Sequence, residues 1–310
     1  MAGPEGQREF SCTNARGFYA GAAYGDLFMR LKEYLRNRIP AGTLREFSGR
    51  FDVIGDIAIV TLTPALVPYD QVIAAAIVEL RHGIRTVVRK STDVSGVFRT
   101  THYTVISGKG TETTHHENGF SYHLDLNTNF FNPRLAYERK RVTGQVQAGE
   151  EILVPFAGVG PFVIPAAARG AQVTAIEQNP EACRWLERNA GDNHLAGRIT
   201  IIRGDAFEPP NLPKGSFDRA IIPTPYGRDG ILGAIADLIR PGGTLHFYTF
   251  KNRAQCEMLE REFEKEGYNV ISRRRCGNVA PSVSRWVFDL RCRKPAGTAS
   301  SGDQNSLNTS

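Results

Sequence analysis

Glu177 closes the apolar run Val173-Thr174-Ala175-Ile176, and a carboxylate at the end of a buried strand can accept both hydroxyls of a ribose. Asp205, in Arg203-Gly204-Asp205-Ala206-Phe207, follows the next apolar run, where it can take hydrogen bonds from an adenine amine while Ala206 or Phe207 packs on the ring. Upstream of both, the run from Glu151 to Pro155 breaks at Phe156-Ala157-Gly158-Val159-Gly160-Pro161-Phe162 and resumes as Val163-Ile164-Pro165-Ala166-Ala167-Ala168. The first part reads as a buried strand and the second as a helix. Small residues at Ala157, Gly158 and Gly160 let a ligand approach the backbone, and the helix start offers unpaired N–H groups. Any one of these stretches could be an ordinary turn. Three of them after three successive strands describe a nucleotide site.

The elements that must position these residues alternate from residue 150 onward. Strands are expected at 151–156, 172–177, 199–203, 217–223 and 243–250, with helices at 161–169, 180–190, 229–240 and 252–267. Two more strands, near 269–275 and 284–292, have no helical pattern between them. Such alternation implies an α/β fold with a doubly wound, mainly parallel sheet, ending in an antiparallel hairpin. Before it, strand, turn, strand over 51–62, a helix over 69–81 and strands at 84–90, 97–107 and 120–126 make a small α+β domain. The expected organisation is a lead with one amphipathic helix over 1–50 (Leu27, Leu31, Leu35), the small domain over 51–128, the large domain over 129–294 and a polar tail over 295–310.

Composition narrows the class. A hydrophobic fraction of 41% against 23% charged residues is that of a globular protein, and no segment is long and apolar enough to span a membrane. The start of the chain lacks a secretion pattern, which leads to the expectation of a cytoplasmic protein. Five scattered cysteines with no Cys-x-x-Cys pair lead to that of free thiols and no zinc. A net charge of +6 and a pI of about 9.1 permit a polyanionic partner without demanding one. The excess positive charge is three in each half of the chain, so local clusters matter more: Arg89-Lys90 with Arg99, Arg134 with Arg139-Lys140-Arg141, and Arg273-Arg274-Arg275. His115-His116 does not read as a metal site, because adjacent residues on a strand face opposite ways and no ligand set accompanies them.

The glycine turn lacks the third glycine of a nicotinamide-binding loop, and together with the final strand pair the pattern resembles the Rossmann-like class I S-adenosylmethionine-dependent methyltransferase sheet. Four separated stretches are similar to the archaeal and eukaryotic tRNA guanine-37 N1-methyltransferase family. They are Phe51-Asp52-Val53-Ile54-Gly55-Asp56-Ile57-Ala58, His116-Glu117-Asn118-Gly119, Asn132-Pro133-Arg134-Leu135-Ala136-Tyr137-Glu138-Arg139 and Phe156 to Phe162. The resemblance covers about residues 50 to 294. It extends to wyosine-pathway enzymes that transfer an aminocarboxypropyl group on the same scaffold.

The resemblance implies S-adenosylmethionine as cofactor, tRNA as partner, a monomer, and neither metal nor membrane. It places the cofactor against Phe156, Ala157, Gly158, Gly160, Glu177, Asp205, Ala206 and Pro223. It makes Glu138 the base for guanine N1 and Arg99 the cation opposite O6. That chemistry is sound, because N1 is a weak nucleophile until it loses its proton. The bland alternatives are that Glu138 pairs along its helix with Arg134 or Arg141, and that Arg99 sits on a solvated strand. Substrate contacts are expected from Arg134, Phe130, Pro225 and Tyr226.

Three positions depart from the family pattern. Pro223-Thr224-Pro225-Tyr226 stands where the family has Asn-Leu-Pro or Asn-Pro-Pro, Val154 stands where it has an aspartate that helps bind the cofactor's amino-acid end, and Phe130 replaces a tyrosine. Proline and valine offer no side-chain hydrogen bonds. Besides methyl transfer, two readings therefore stand: aminocarboxypropyl transfer to tRNA, and a paralogue that binds cofactor or RNA with weakened catalysis.

Overall fold

The computed structural model describes residues 30–91 and 101–293. Arg99, the lead before residue 30 and the tail from 294 lie outside the described residues.

The small domain is a four-stranded sheet in the order β1-β2-β3-β4, formed by Phe51–Ile54, Ile57–Val60, Thr86–Lys90 and Tyr103–Ser107. Its helix α1 (Asp70–Leu80) buries Ile73, Ala74, Ala76 and Ile77 against one face. The helical stretch 30–35 packs on the same core through Leu31 and Leu35, four residues apart on one face. All four residues of β2 are buried. Side chains alternate across a strand, so Ala58 and Val60 enter this core while Ile57 and Ile59 enter the core of the large domain.

Two strands follow, β5 (Glu112–Glu117) and β6 (Phe120–Asp125), paired as an antiparallel hairpin. The expected small domain included β6 but no strand at 112–117, because Glu-Thr-Thr-His-His-Glu contains no apolar residue to signal one. The hairpin packs on the large domain. Asn189 accepts from His123 N–H (2.7 Å) and donates to His123 C=O (3.1 Å) and Val159 C=O (2.9 Å). Asn193 does the same for Ser121, at 3.1 and 2.8 Å. Two side-chain amides on one helix face, four residues apart, thus satisfy the backbone of a strand that has a partner on only one edge.

The large domain begins with helix α2 (Ala136–Thr143) and contains seven strands: β7 (Glu151–Pro155), β8 (Gln172–Glu177), β9 (Ile199–Arg203), β10 (Phe217–Ile222), β11 (Ile239–Lys251), β12 (Tyr268–Ala280) and β13 (Val283–Cys292). Their order in the sheet is β12-β13-β11-β10-β7-β8-β9. β13 alone runs antiparallel to its neighbours, inserted between β11 and β12. Helices α3 (Val163–Ala168), α4 (Pro180–Asp192), α5 (Ile231–Ile235) and α6 (Arg253–Lys265) connect the strands. In α4, Pro180 occupies the first turn, and the Asn179 side chain caps it by accepting from Glu181 N–H at 3.0 Å. Ala182, Cys183, Trp185, Leu186, Asn189 and Ala190 form its buried stripe.

The helix expected over 229–240 is shorter. It gives way to a tight turn at Ala236–Leu238, and β11 starts at Ile239, where an irregularity at Pro241-Gly242-Gly243, with Gly242 at φ +79°, shifts its pairing against β10 before it resumes at Thr244. Among the described residues no helix is long and apolar enough to cross a membrane.

Candidate functional site

The carboxyl ends of β7, β8, β9 and β10 converge on one cleft of about 370 Å³, whose opposite wall is the segment from Asn129 to Arg139. Open α/β sheets bind ligands at this edge. Phe156, Ala157, Gly158, Glu177, Asp205, Ala206 and Pro223 all line it. Phe156 has φ of +56°, a conformation rare for a side chain of its size, and its ring lies 6.1 Å from that of Phe207. Gly158 also has φ of +56°, and a Cβ there would meet nothing within 4 Å. Its glycine identity therefore serves the backbone turn and leaves the cleft open. Gly160 is different. It does not line the cleft, and a Cβ there would come within 2.4 Å of Leu186 on α4. Gly160, expected against the cofactor, is instead a packing glycine that lets the loop approach α4.

Glu177 accepts from Gly158 N–H through Oε2 and from Asn179 N–H through Oε1, both at 2.8 Å. Burial raises its pKa, and these backbone donors partly oppose the rise. The glycine turn thereby fixes the carboxylate and leaves its remaining lone pairs facing the cleft, as a ribose diol requires. Asp205 accepts from Phe207 N–H at 3.0 Å and so aligns Phe207, whose ring carries the Arg228 guanidinium at 5.1 Å.

Glu138 is 4% exposed and does not line the cleft. Arg141 holds it with contacts of 2.7–3.0 Å, the pairing along the helix considered above, and the Tyr248 hydroxyl donates to it at 2.9 Å. Tyr248 does line the cleft, so the carboxylate stands one side chain behind the wall. The pairing continues into the sheet. Arg141 also donates to Asp289 (2.7 and 3.1 Å), Asp289 pairs with His246 Nδ1 (2.6 Å), His246 Nε2 meets Arg219 (2.8 Å), and Arg219 grips Glu150 (2.8 and 2.9 Å). Burial lowers the pKa of His246, and the nearby Arg219 and Arg141 lower it further against the pull of Asp289. A neutral ring with the proton on Nδ1 satisfies both partners.

Arg134 does not reach the cleft. Its guanidinium forks onto Asp52 of β1 at 2.8 and 2.9 Å, so this expected substrate contact is a bridge between the domains. Arg139 is buried against Glu117, with a third bond to Asn132 C=O at 3.0 Å. Burial raises the Glu117 carboxyl, but the bonds from Arg139 and His115 outweigh it and its pKa falls. Arg139 therefore forms a buried structural ion pair, whereas Arg134 pairs with Asp52 at the solvated surface. His115 accepts from Gly55 N–H at 3.2 Å, and the Thr224 hydroxyl donates to Ile222 C=O at 3.2 Å.

Phe130, Pro225 and Tyr226 line the mouth, with Phe130 45% and Tyr226 60% exposed. Tyr226 lies 5.5 Å from Phe250, and Arg285 lies over the Phe250 ring at 4.8 Å. Phe250, Arg285, Arg228 and Asn129 were not among the expected site residues. The signal for Phe250 was its position at the end of β11, the next strand in line; the others come from loops or from the last hairpin, which sequence order does not bring near the glycine turn.

A family model described as the TRM5/TYW2 methyltransferase domain matches residues 113–271, and one described as the TYW2 N-terminal domain matches residues 31–111. The chain is 36% identical over 261 residues to the tRNA (guanine(37)-N(1))-methyltransferase Trm5b of Pyrococcus abyssi, covering 82% of this chain and 78% of that protein. It is 28% identical over 273 residues to the tRNA(Phe) (4-demethylwyosine(37)-C(7)) aminocarboxypropyltransferase of Pyrococcus horikoshii, covering 86% and 97%. It spans less of the longer animal relatives, 40% of the Danio rerio tRNA (guanine(37)-N(1))-methyltransferase. Among solved structures, the complex of aTrm5 with tRNALeu superposes with a TM-score of 0.76 at 25% identity, covering 85% of this chain and 78% of that one.

Proposed function

The chain belongs to the TRM5/TYW2 methyltransferase domain family, and from that premise we propose that it methylates N1 of a guanine beside the anticodon of tRNA, using S-adenosylmethionine. The observation that carries this reading is the single cleft in which the glycine turn, Glu177 and Asp205 meet an aromatic mouth. The cofactor supplies an electrophilic methyl group on a sulfonium. The residues present fit it: Glu177 for the ribose hydroxyls, Asp205 with Phe207 for the adenine, and the open face of Gly158 for close approach.

At the mouth, Phe130, Tyr226 and Phe250 offer flat faces on which a base taken out of its stack can lie. Arg228 and Arg285 stand over the Phe207 and Phe250 rings beside them. Glu138 is the acceptor for the guanine proton in this reading. Tyr248 is the side chain between it and the cleft, and its hydroxyl already donates to Glu138 Oε1. Arg141, itself anchored on Asp289, holds that carboxylate in place.

A second reading, aminocarboxypropyl transfer to the same region of tRNA, is favoured by the match of residues 31–111 to the TYW2 N-terminal domain and by a carboxylate that stands behind the cleft wall. One experiment decides between them. The full chain is incubated with methyl-labelled S-adenosylmethionine and either tRNA transcripts or tRNA carrying 4-demethylwyosine at position 37, the base named for the Pyrococcus horikoshii relative, and the product nucleosides are analysed by mass spectrometry. Labelled 1-methylguanosine, lost when guanine 37 is replaced, is the expected result. An unlabelled product heavier by the aminocarboxypropyl group would install the second reading, and no product from any tRNA would overturn both.

A further inference from the structure

One buried polar group in the cleft wall has no partner within the protein. Asn129 is 4% exposed and lines the cleft. Its Oδ1 accepts from Asp125 N–H at 3.2 Å and from the Thr128 hydroxyl at 3.3 Å, which fixes the orientation of the amide. Its Nδ2 is left buried without a hydrogen-bond acceptor. Buried donors are rarely left so, and one on a side chain that lines a ligand cleft points to an acceptor brought by the ligand, to which a small turn of the amide would present it. The other unpartnered buried atoms among the described residues, on Arg89, Trp185 and Arg273, belong to side chains that do not line the cleft.

Its place identifies the acceptor. The Thr128 carbonyl accepts from Asn179 Nδ2 at 2.7 Å, and Asn179 N–H donates to Glu177, so Asn129 follows a residue tied through Asn179 to the carboxylate assigned to the ribose. Asp205 and Phe207, which follow β9, take the adenine end. The segment carrying Asn129 leads instead to Asn132 and Arg139, which line the cleft as well. An amide N–H cannot serve a sulfonium or an ammonium, which have no lone pair to offer, but it suits a carboxylate.

We propose that Asn129 Nδ2 donates to the carboxylate of the cofactor's methionine end. The proposal rests on the cofactor reading above. Its test is calorimetric binding to the full chain of two ligands: S-adenosylhomocysteine, and 5′-methylthioadenosine, which keeps the adenosine and the thioether but lacks the carboxylate. Asn129→Asp retains the Oδ1 acceptor and the shape of the side chain while exchanging the donor for an oxygen. Asn129→Ala removes the donor without adding charge.

Both variants should bind S-adenosylhomocysteine at least tenfold more weakly and 5′-methylthioadenosine within twofold of the parent. Retained binding of the second ligand also reports that the site is folded. Equal losses for the two ligands, or no loss for either, would overturn the assignment. Failure of the parent chain to bind either ligand would instead overturn the cofactor reading, and the assignment with it.

Discussion

Glu138 shows how far a single residue's chemistry depends on what holds it. Its carboxylate takes hydrogen bonds from Arg141 and Tyr248, and so is held in place but behind the surface it would act on. Glu138→Gln keeps the shape and removes the proton acceptor. Turnover is expected to fall roughly 10²- to 10⁴-fold, the usual contribution of a positioned base, with cofactor affinity unchanged in a binding titration. Unchanged turnover would remove Glu138 from the mechanism. At this scale the sequence was legible where a side chain reaches the cleft from the end of its own strand or just beyond it, as those of Glu177 and Asp205 do. It misled where a charged side chain had two possible partners. Arg134 and Arg139 carry the same charge five residues apart, yet one bridges to Asp52 and the other is buried on Glu117, and only the folded neighbours decide which.

Among the elements, α4 carries more than its own packing. Asn189 satisfies the backbone of β6 and the carbonyl of Val159 in the glycine loop, so one helix face positions both the hairpin and the cofactor turn. Asn189→Leu would leave three buried backbone groups without partners at about 1–3 kcal/mol each, so urea denaturation should show a loss of about 3 kcal/mol or more. A midpoint equal to that of the parent would mean that the amide is dispensable. The alternating strands and helices of the large domain could be read from periodicity because each buries an apolar stripe. The strand β5 could not, since it has no apolar residue and owes its pairing to β6 alone. The start of β11 was equally hidden, because Pro241-Gly242-Gly243 carries the marks of a turn and interrupts the pairing, with only Ile239 before it joined to β10.

For the molecule as a whole, the chain of charges from Glu150 to Glu138 ties the amino-terminal edge of the sheet to the cleft, with a buried neutral imidazole in its middle. The folded pKa of His246 lies below its ordinary value, chiefly through burial, whereas the unfolded chain carries a free histidine with a pKa of about 6.5. As pH falls below that value, the unfolded state binds the proton first and stability is lost; above it, this contribution to stability is complete. His123, whose pKa is also lowered chiefly by burial, acts in the same direction. The melting temperature should therefore drop between pH 7.5 and pH 5.5, and in His246→Gln the drop should be smaller. An equal drop in both proteins would assign the acid sensitivity elsewhere.

The two faces of β2 carry a further consequence for how this protein can be divided. Its Ala58 and Val60 complete the core of the small domain, while Ile57 and Ile59 lie in one continuous apolar cluster with Tyr122 and Leu124 of β6, Phe131 and the strands of the large domain. The two family matches meet near residue 112, at the first residue of β5. A cut there falls at the edge of the hairpin but through the middle of a core. A fragment starting at that point would expose the apolar side of the hairpin to water, so the smallest unit that folds as a whole includes both matched segments.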